Sequence, residues 1–271
     1  MSSEHKVAVV TGASQGIGAS LVKAYREIGY AVVANSRSIN ASDFAHDPKI
    51  ATVAGDIASP ETAERIFNAA IEHFGSLDTF VNNAGVFIPK PFIEYTLDDL
   101  ATVSGVNLHG FFHISQRAAA WMVRAGSGHI VNITASLADQ PIASVTAALT
   151  AFAVTRLLAI ELAGKGIRVN AVLPGIIKTP MHPQEAYPFL ASLHPIGRMS
   201  EIQDIVEAVL FLEKARFVTG EILHVDGCAN AGRRWRRHCF INNLRPRTEI
   251  REMFVRGRVS RPATDLPLRS A

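Results

Sequence analysis

Cysteine is nearly absent from this chain of 271 residues, which holds only Cys228 and Cys239. Two cysteines exclude a disulfide framework and a cysteine-rich zinc site, and they suit a reducing compartment, so a cytoplasmic protein is expected. No apolar run approaches the roughly 18 residues of a membrane span, and residues 1–6 lack the layout of a secretory signal. No membrane partner is therefore expected. Internal repeats and low-complexity linkers are missing too. So are phenols and ammonium groups over a long central stretch. No tyrosine lies between Tyr95 and Tyr187, and no lysine between Lys90 and Lys165. That excludes a tyrosine–lysine acid–base pair there.

What is present is apolar content of 48% on a length that suits one globular domain with a large core. The net charge of +3 conceals an asymmetry. From Gly232 to Ala271, 11 arginines stand against 3 acidic residues, a net of +8; the remainder holds 16 basic against 21 acidic residues, a net of −5. Body and tail are read separately. Residues 1–231 form the expected single domain. Residues 232–271 show no sustained period and read as a basic tail, disordered or foreign, such as a shifted reading frame would add. Basic tails of this kind bind many anions weakly, so specific nucleic-acid recognition is not expected.

The informative stretch is Val7–Gly18, where a β-branched run meets a glycine-spaced turn and an amphipathic helix follows. Strand, glycine turn and helix in that order form the first half of a dinucleotide-binding βαβ unit. Gly12 permits the tight turn, Gly16 lets backbone approach a pyrophosphate, and Gly18 lets helix and sheet pack closely. The turn Gly12, Ser14, Gln15, Gly16, Ile17 and Gly18 then offers helix N–H groups to phosphate. A plain strand-to-helix turn is the competing reading.

Further strands are expected at Tyr30–Asn35, Ile50–Ala54, Thr79–Val81, Ile130–Ile133 and Ile167–Leu173. Helices are expected at Pro60–Phe74, within Leu97–Arg124, and at Val145–Ala163. This alternation predicts an α/β fold, a doubly wound parallel sheet with helices on both faces. The second strand ends without an acid, at Asn35-Ser36-Arg37. An acid there would bind the ribose 2′-hydroxyl of NAD, whereas Arg37 suits the 2′-phosphate of NADP. NADP is the expected cofactor and NAD the alternative; a merely solvated Arg37 competes with both. Asp56 and Ile57, after the third strand, fall where the adenine would lie.

Thr11–Gly18, Asn82-Asn83-Ala84-Gly85, Asn107, Gly166–Gly175 and Thr219–Gly227 appear in order, and over Lys6–Gly227 the chain resembles the short-chain dehydrogenase/reductase family. The resemblance implies a Rossmann-like fold, a nicotinamide cofactor, and hydride transfer between a small-molecule carbonyl and an alcohol. It carries cofactor contacts to Asn83, Ala84, Gly85, Pro174, Gly175, Ile177 and Thr179. It also implies a homo-oligomer, dimer or tetramer, burying the apolar 145–163 helix between subunits; a monomer with an unusually apolar helix competes.

Catalysis in the family uses a tyrosine, a lysine four residues later, a serine and an asparagine. The lysine and the nicotinamide charge lower a phenol pKa that is otherwise about 10. Gapless alignment from Gly166 puts Ser144 and Ala148 at the tyrosine and lysine positions; alignment from Asn132-Ile133 puts Ala148 and Phe152 there. Neither register supplies the pair. Ser136 is the candidate remnant of the serine, with a turn or cap role competing, and Asn107 matches the asparagine, with a bond to neighbouring backbone competing. The expected activity is weak or nil, and a non-catalytic dinucleotide-binding or subunit-interaction protein is the alternative. His182, Tyr187 and His194, in the segment Lys178–His194 read as a substrate lid, are candidates for a substitute acid. His109 and His113 share the i, i+4 spacing of some metal ligands, yet no third ligand is evident and no metal site is expected.

Overall fold

The computed structural model describes residues 5–44, 46–136 and 152–231. The first half runs β1 (Val7–Thr11), α1 (Gly16–Glu27), β2 (Ala31–Ser36), β3 (Ile50–Ala54), α2 (Pro60–Phe74) and β4 (Thr79–Asn82). The second runs α3 (Leu97–Ser104), α4 (Phe111–Ala125), β5 (Gly128–Ile133), α5 (Phe152–Ala163), β6 (Ile167–Pro174), α6 (Tyr187–Ser192), α7 (Ile202–Lys214) and β7 (Ile222–Val225). Among the described residues, seven strands form one parallel sheet in the order β3-β2-β1-β4-β5-β6-β7. The chain builds outward from β1 to β3 and then crosses back to β4. This reversal opens a crevice beyond the carboxyl ends of β1 and β4, where open α/β sheets bind ligands.

Helices cover both faces. Val10, Val32, Val81, Val131 and Val172 pack on one side against Leu21 and Tyr25 of α1 and Ile205 and Val209 of α7. Val9, Val33, Phe80, Ile130 and Val169 pack on the other against Ile66 of α2, Ile114 and Met122 of α4 and Leu162 of α5. Burial on both faces is why β1 and β2 read as continuous apolar runs rather than alternating ones. Local signals set the helix ends. Pro60 opens α2 and Gly75, at φ 76°, closes it. Thr96 and Asp99 form a capping box at α3.

The expected helix across Leu97–Arg124 is interrupted. A wide π turn, Gly105–Gly110, separates α3 from α4, and its cause lies in the site described below. Of the expected Val145–Ala163 helix, α5 shows the C-terminal part; residues 145–151 lie outside the described residues, as does the 232–271 tail. Ala159 and Leu162 of α5 are buried, while Leu157 and Ile160 stand 66% and 83% exposed.

Where the strands begin, opposite the crevice, a buried carboxylate gathers donors from four elements or their flanks. Glu213 of α7 accepts from His129 Nδ1 of β5 at 2.9 Å, Tyr30 at 2.9 Å, Tyr25 of α1 at 3.2 Å and Thr79 of β4 at 3.1 Å. The histidine tautomer follows from Asn170 of β6. Its Oδ1 accepts the Glu221 N–H at 3.0 Å, so its amide NH2 donates to Val218 O and, at 3.1 Å, to His129 Nε2. His129 is therefore a neutral imidazole with its proton on Nδ1, and burial pushes its pKa down against the pull of Glu213. Burial pushes the Glu213 carboxyl up, but the donors from His129 and Tyr30 and the Arg168 charge outweigh it and hold it at about 2.

Candidate dinucleotide site

The end of β1 is built around three glycines. Gly12 and Gly16 adopt φ of 65° and 58°, which side chains disfavour. At Gly18 the constraint is contact: an added Cβ would stand 2.2 Å from Gly12 O and 2.7 Å from Asn83 Nδ2. Gln15 precedes α1 in an extended conformation and its side chain makes no cap bond; no acid occupies the first helical turn. The leading N–H groups of α1 are thus left for an anion. Ser14 and Gln15 are exposed, and Ile17 packs on the core from the same turn.

Thr11 locks this turn to β4. Its buried Oγ1 accepts the N–H groups of Asn83 at 3.1 Å and Ala84 at 3.0 Å. The Asn83 amide donates in return to Thr11 O at 2.9 Å and Gly12 O at 3.2 Å. The Asn83 side chain thus binds the glycine turn itself. Asn35, next to last in β2 and beside the turn, donates to Val53 O at 2.8 Å and Gly55 O at 3.2 Å, and its own carbonyl accepts the Ala13 N–H. Arg37 follows on the exposed rim. Exposed Asp56 accepts the Ala58 N–H at 2.9 Å, and Ile57 is buried against Gly110.

On the far side, Pro174 ends β6, and the Gly175 N–H pairs with Val225 O. Ile177 is buried and bridges to Ser200. The Thr179 γ-methyl lies 3.7 Å from the place a Gly16 Cβ would occupy, which joins the post-β6 segment to the glycine turn. His194 pins that segment: its Nε2 accepts the Ile176 N–H at 2.9 Å and its Nδ1 faces Leu190 O at 3.1 Å. Both nitrogens serve backbone groups, so the ring is neutral and is not available as an acid. Burial lowers its pKa further.

Asn107 sits in the π turn and clasps Val86, accepting its N–H at 2.9 Å and donating to its carbonyl at 3.0 Å. A side chain that bridges to a strand-end loop 21 residues away gives this π turn a local purpose, as such turns frequently have at functional sites. Gly85 passes the same oxygen, with its Cβ position 3.6 Å away. Ser136 is buried beyond β5. Asn132, on the preceding strand, accepts no bond at Oδ1 among the described residues but donates to Thr155 of α5 at 2.8 Å. Positions 144 and 148 lie outside the described residues, and nothing is described of the Phe152 side chain. Among the described residues no three His, Cys, Asp or Glu side chains stand together to hold a metal; His109 and His113 meet only ring to ring, 6.5 Å between centroids.

Residues 12–230 match the family described as enoyl-(acyl carrier protein) reductase. The chain belongs to the short-chain dehydrogenase/reductase family. It is 37% identical over 237 residues, 82% of its length and 95% of the relative's, to a cis-4-hydroxycyclohexanecarboxylate dehydrogenase of Sinomonas cyclohexanicum. Two solved structures share this short-chain dehydrogenase/reductase fold. ElxO with NADP bound aligns at a TM-score of 0.78 and 27% identity, covering 84% of this chain and 99% of that one. A 3-ketoacyl-(acyl-carrier-protein) reductase from Brucella melitensis complexed with NADH aligns at 0.76 and 28%, covering 83% and 98%. The family scaffold is that of nicotinamide-dependent oxidoreductases.

Sequence reasoning missed two residues that build this site, Asn35 and Asn132, and gave His194 a different role, that of a substitute acid. All three are buried polar groups whose partners are backbone or distant side chains. Asn35 alone had a local signal, as a polar residue closing an apolar strand.

Proposed function

We propose that this short-chain dehydrogenase/reductase chain binds NADP(H), in preference to NAD(H), and reduces or oxidises a small carbonyl or alcohol slowly. The observation that carries the reading is the cradle of Gly12, Gly16 and Gly18 with Thr179 beside it: a space that a Cβ at Gly18 would destroy, at the uncapped start of α1. The residues present fit a dinucleotide. Backbone of Gly12, Ser14, Gln15, Gly16, Ile17 and Gly18 would hold the pyrophosphate, and Arg37 the 2′-phosphate. Asp56 and Ile57 would border the adenine, Asn83, Ala84 and Gly85 the inner ribose side, and Pro174, Gly175, Ile177 and Thr179 the nicotinamide end. When bound, the reduced nicotinamide supplies a hydride. The protein's part is to orient it, to exclude water with the segment after β6, and to polarise a substrate oxygen through Ser136, while Asn107 holds Val86 and the loop around it.

Slowness follows from the missing tyrosine and lysine, since positioned acid–base groups contribute about 10²–10⁴-fold. The same absence favours a second reading, a dinucleotide-binding protein without catalysis. Titration with NADPH and NADH, run beside a panel of ketones and aldehydes, separates the two. The Ser144→Tyr/Ala148→Lys double variant serves as control: restored turnover supports the register and the cause of the slowness. Ordinary family rates in the unaltered protein would contradict the proposal, and absence of NADPH binding would end it.

The exposed Leu157 and Ile160 of α5, with Phe112 of α4, support a homodimer or tetramer; the near absence of cysteine supports a cytoplasmic setting. We read residues 1–231 as the folding unit, so a chain stopped after Gly232 should keep its thermal midpoint.

A further inference from the structure

The segment between β6 and α7 holds several groups able to carry a proton, and its lysine and one of its histidines are engaged. Lys178 is paired with Glu201. Tyr187 packs on the small apolar cluster of Ala186, Leu190 and Met199, and both His194 nitrogens serve backbone. Elsewhere Tyr95 donates to Ile88 O at 2.7 Å, and Tyr25, Tyr30 and His129 belong to the Glu213 cluster at the opposite end of the sheet. His182 differs. It is half-buried, yet among the described residues its ring has no hydrogen-bond, ionic or ring partner. The His182 backbone N–H donates to Thr179 O at 3.1 Å, and that tight turn keeps the residue close in sequence to Thr179, which lies beside the glycine cradle.

We propose that His182 is the proton donor for carbonyl reduction by this chain, in place of the tyrosine that the sequence lacks; the inference rests on the function proposed above. The imidazolium gives its proton to the carbonyl oxygen while the carbonyl carbon accepts a hydride from the reduced dinucleotide. A C–H and an O–H bond form; the C=O π bond, the ring N–H bond and the C–H bond of the hydride donor break, so that the carbonyl is reduced as the dinucleotide is oxidised, and the neutral ring regains a proton from water. Burial alone lowers the His182 pKa from 6.5, and no charged group among the described residues acts on it. Reduction therefore falls about tenfold per pH unit above a value below 6.5.

The test follows the histidine Cε1–H signals of the full chain by NMR from pH 4.5 to 8, with and without NADPH, His182→Asn assigning the signal. NADPH binding is measured separately by fluorescence. The expected result is a His182 signal that moves when NADPH binds, and a ketone reduction rate that follows its titration. The rate falls about 100-fold or more in His182→Asn, with NADPH binding kept within about twofold. With NADPH bound, an unmoved signal, an unchanged rate in His182→Asn, no turnover at all, or loss of turnover in Tyr187→Phe instead would each overturn the assignment. Failure to bind NADPH would overturn the proposed function, and this inference with it.

Discussion

Gly18 and the carbonyl oxygen of Gly12 are so close that a methyl group at residue 18 would stand 2.2 Å from that oxygen. No rotamer relieves such a contact; the turn or the helix must move. Gly18→Ala is expected to lower the thermal midpoint by several degrees and to weaken NADPH binding at least tenfold, an overpacking cost of about 1–3 kcal/mol. Gly164→Ala, where an added Cβ meets nothing within 4 Å, is the control and should be neutral. Equal behaviour of the two variants in a melting and binding assay would show that the turn tolerates a side chain.

The Glu213 cluster predicts an acid limb in stability. His129 has a lowered pKa, so its contribution is complete above about 6.5 and is lost as pH falls below that value. Glu213 is held at about 2, so its contribution is complete above its ordinary 4.5 and is lost as pH falls from there towards 2. Urea midpoints should decline in two stages on acidification. Glu213→Ala strands the donors of His129, Tyr30 and Thr79 and should cost roughly 3 kcal/mol at pH 7 while flattening the limb. An unchanged slope in that variant would place the acid sensitivity elsewhere.

Cys228 adopts φ 74°, a left-handed backbone conformation that favours glycine, directly after Gly227 at φ 59°. Relief of that conformation in Cys228→Gly should stabilise the protein by about 1 kcal/mol. Differential scanning calorimetry reads this as a rise in midpoint; a fall would mean that the exposed thiol makes a contact worth more than the strain.

Much of this architecture was legible along the chain because its causes are local. Ile50–Ala54 and Pro60–Phe74 match their expected bounds to the residue, since β-branched runs, Pro60 and Gly75 punctuate them. The glycine turn was legible for the same reason. The π turn was not. Its apolar spacing continues through α3 and α4, and the clasp on Val86 spans 21 residues. The His129–Glu213 pair spans 84 residues and the Thr11–Asn83 lock 72, so neither leaves a periodic trace. For Asn107, the competing expectation that it bonds to backbone is what the structure displays.

The central claim is an NADP(H) site in which Arg37, exposed where β2 ends, meets the 2′-phosphate. Calorimetric titration of NADPH and NADH into the protein and into Arg37→Ala tests it most directly. A hydrogen bond to a charged group contributes about 1.5–3 kcal/mol, so NADPH should bind roughly 10- to 100-fold more weakly to the variant and NADH almost equally to both. Equal loss for the two cofactors, or no binding of either to the unaltered protein, would contradict the account.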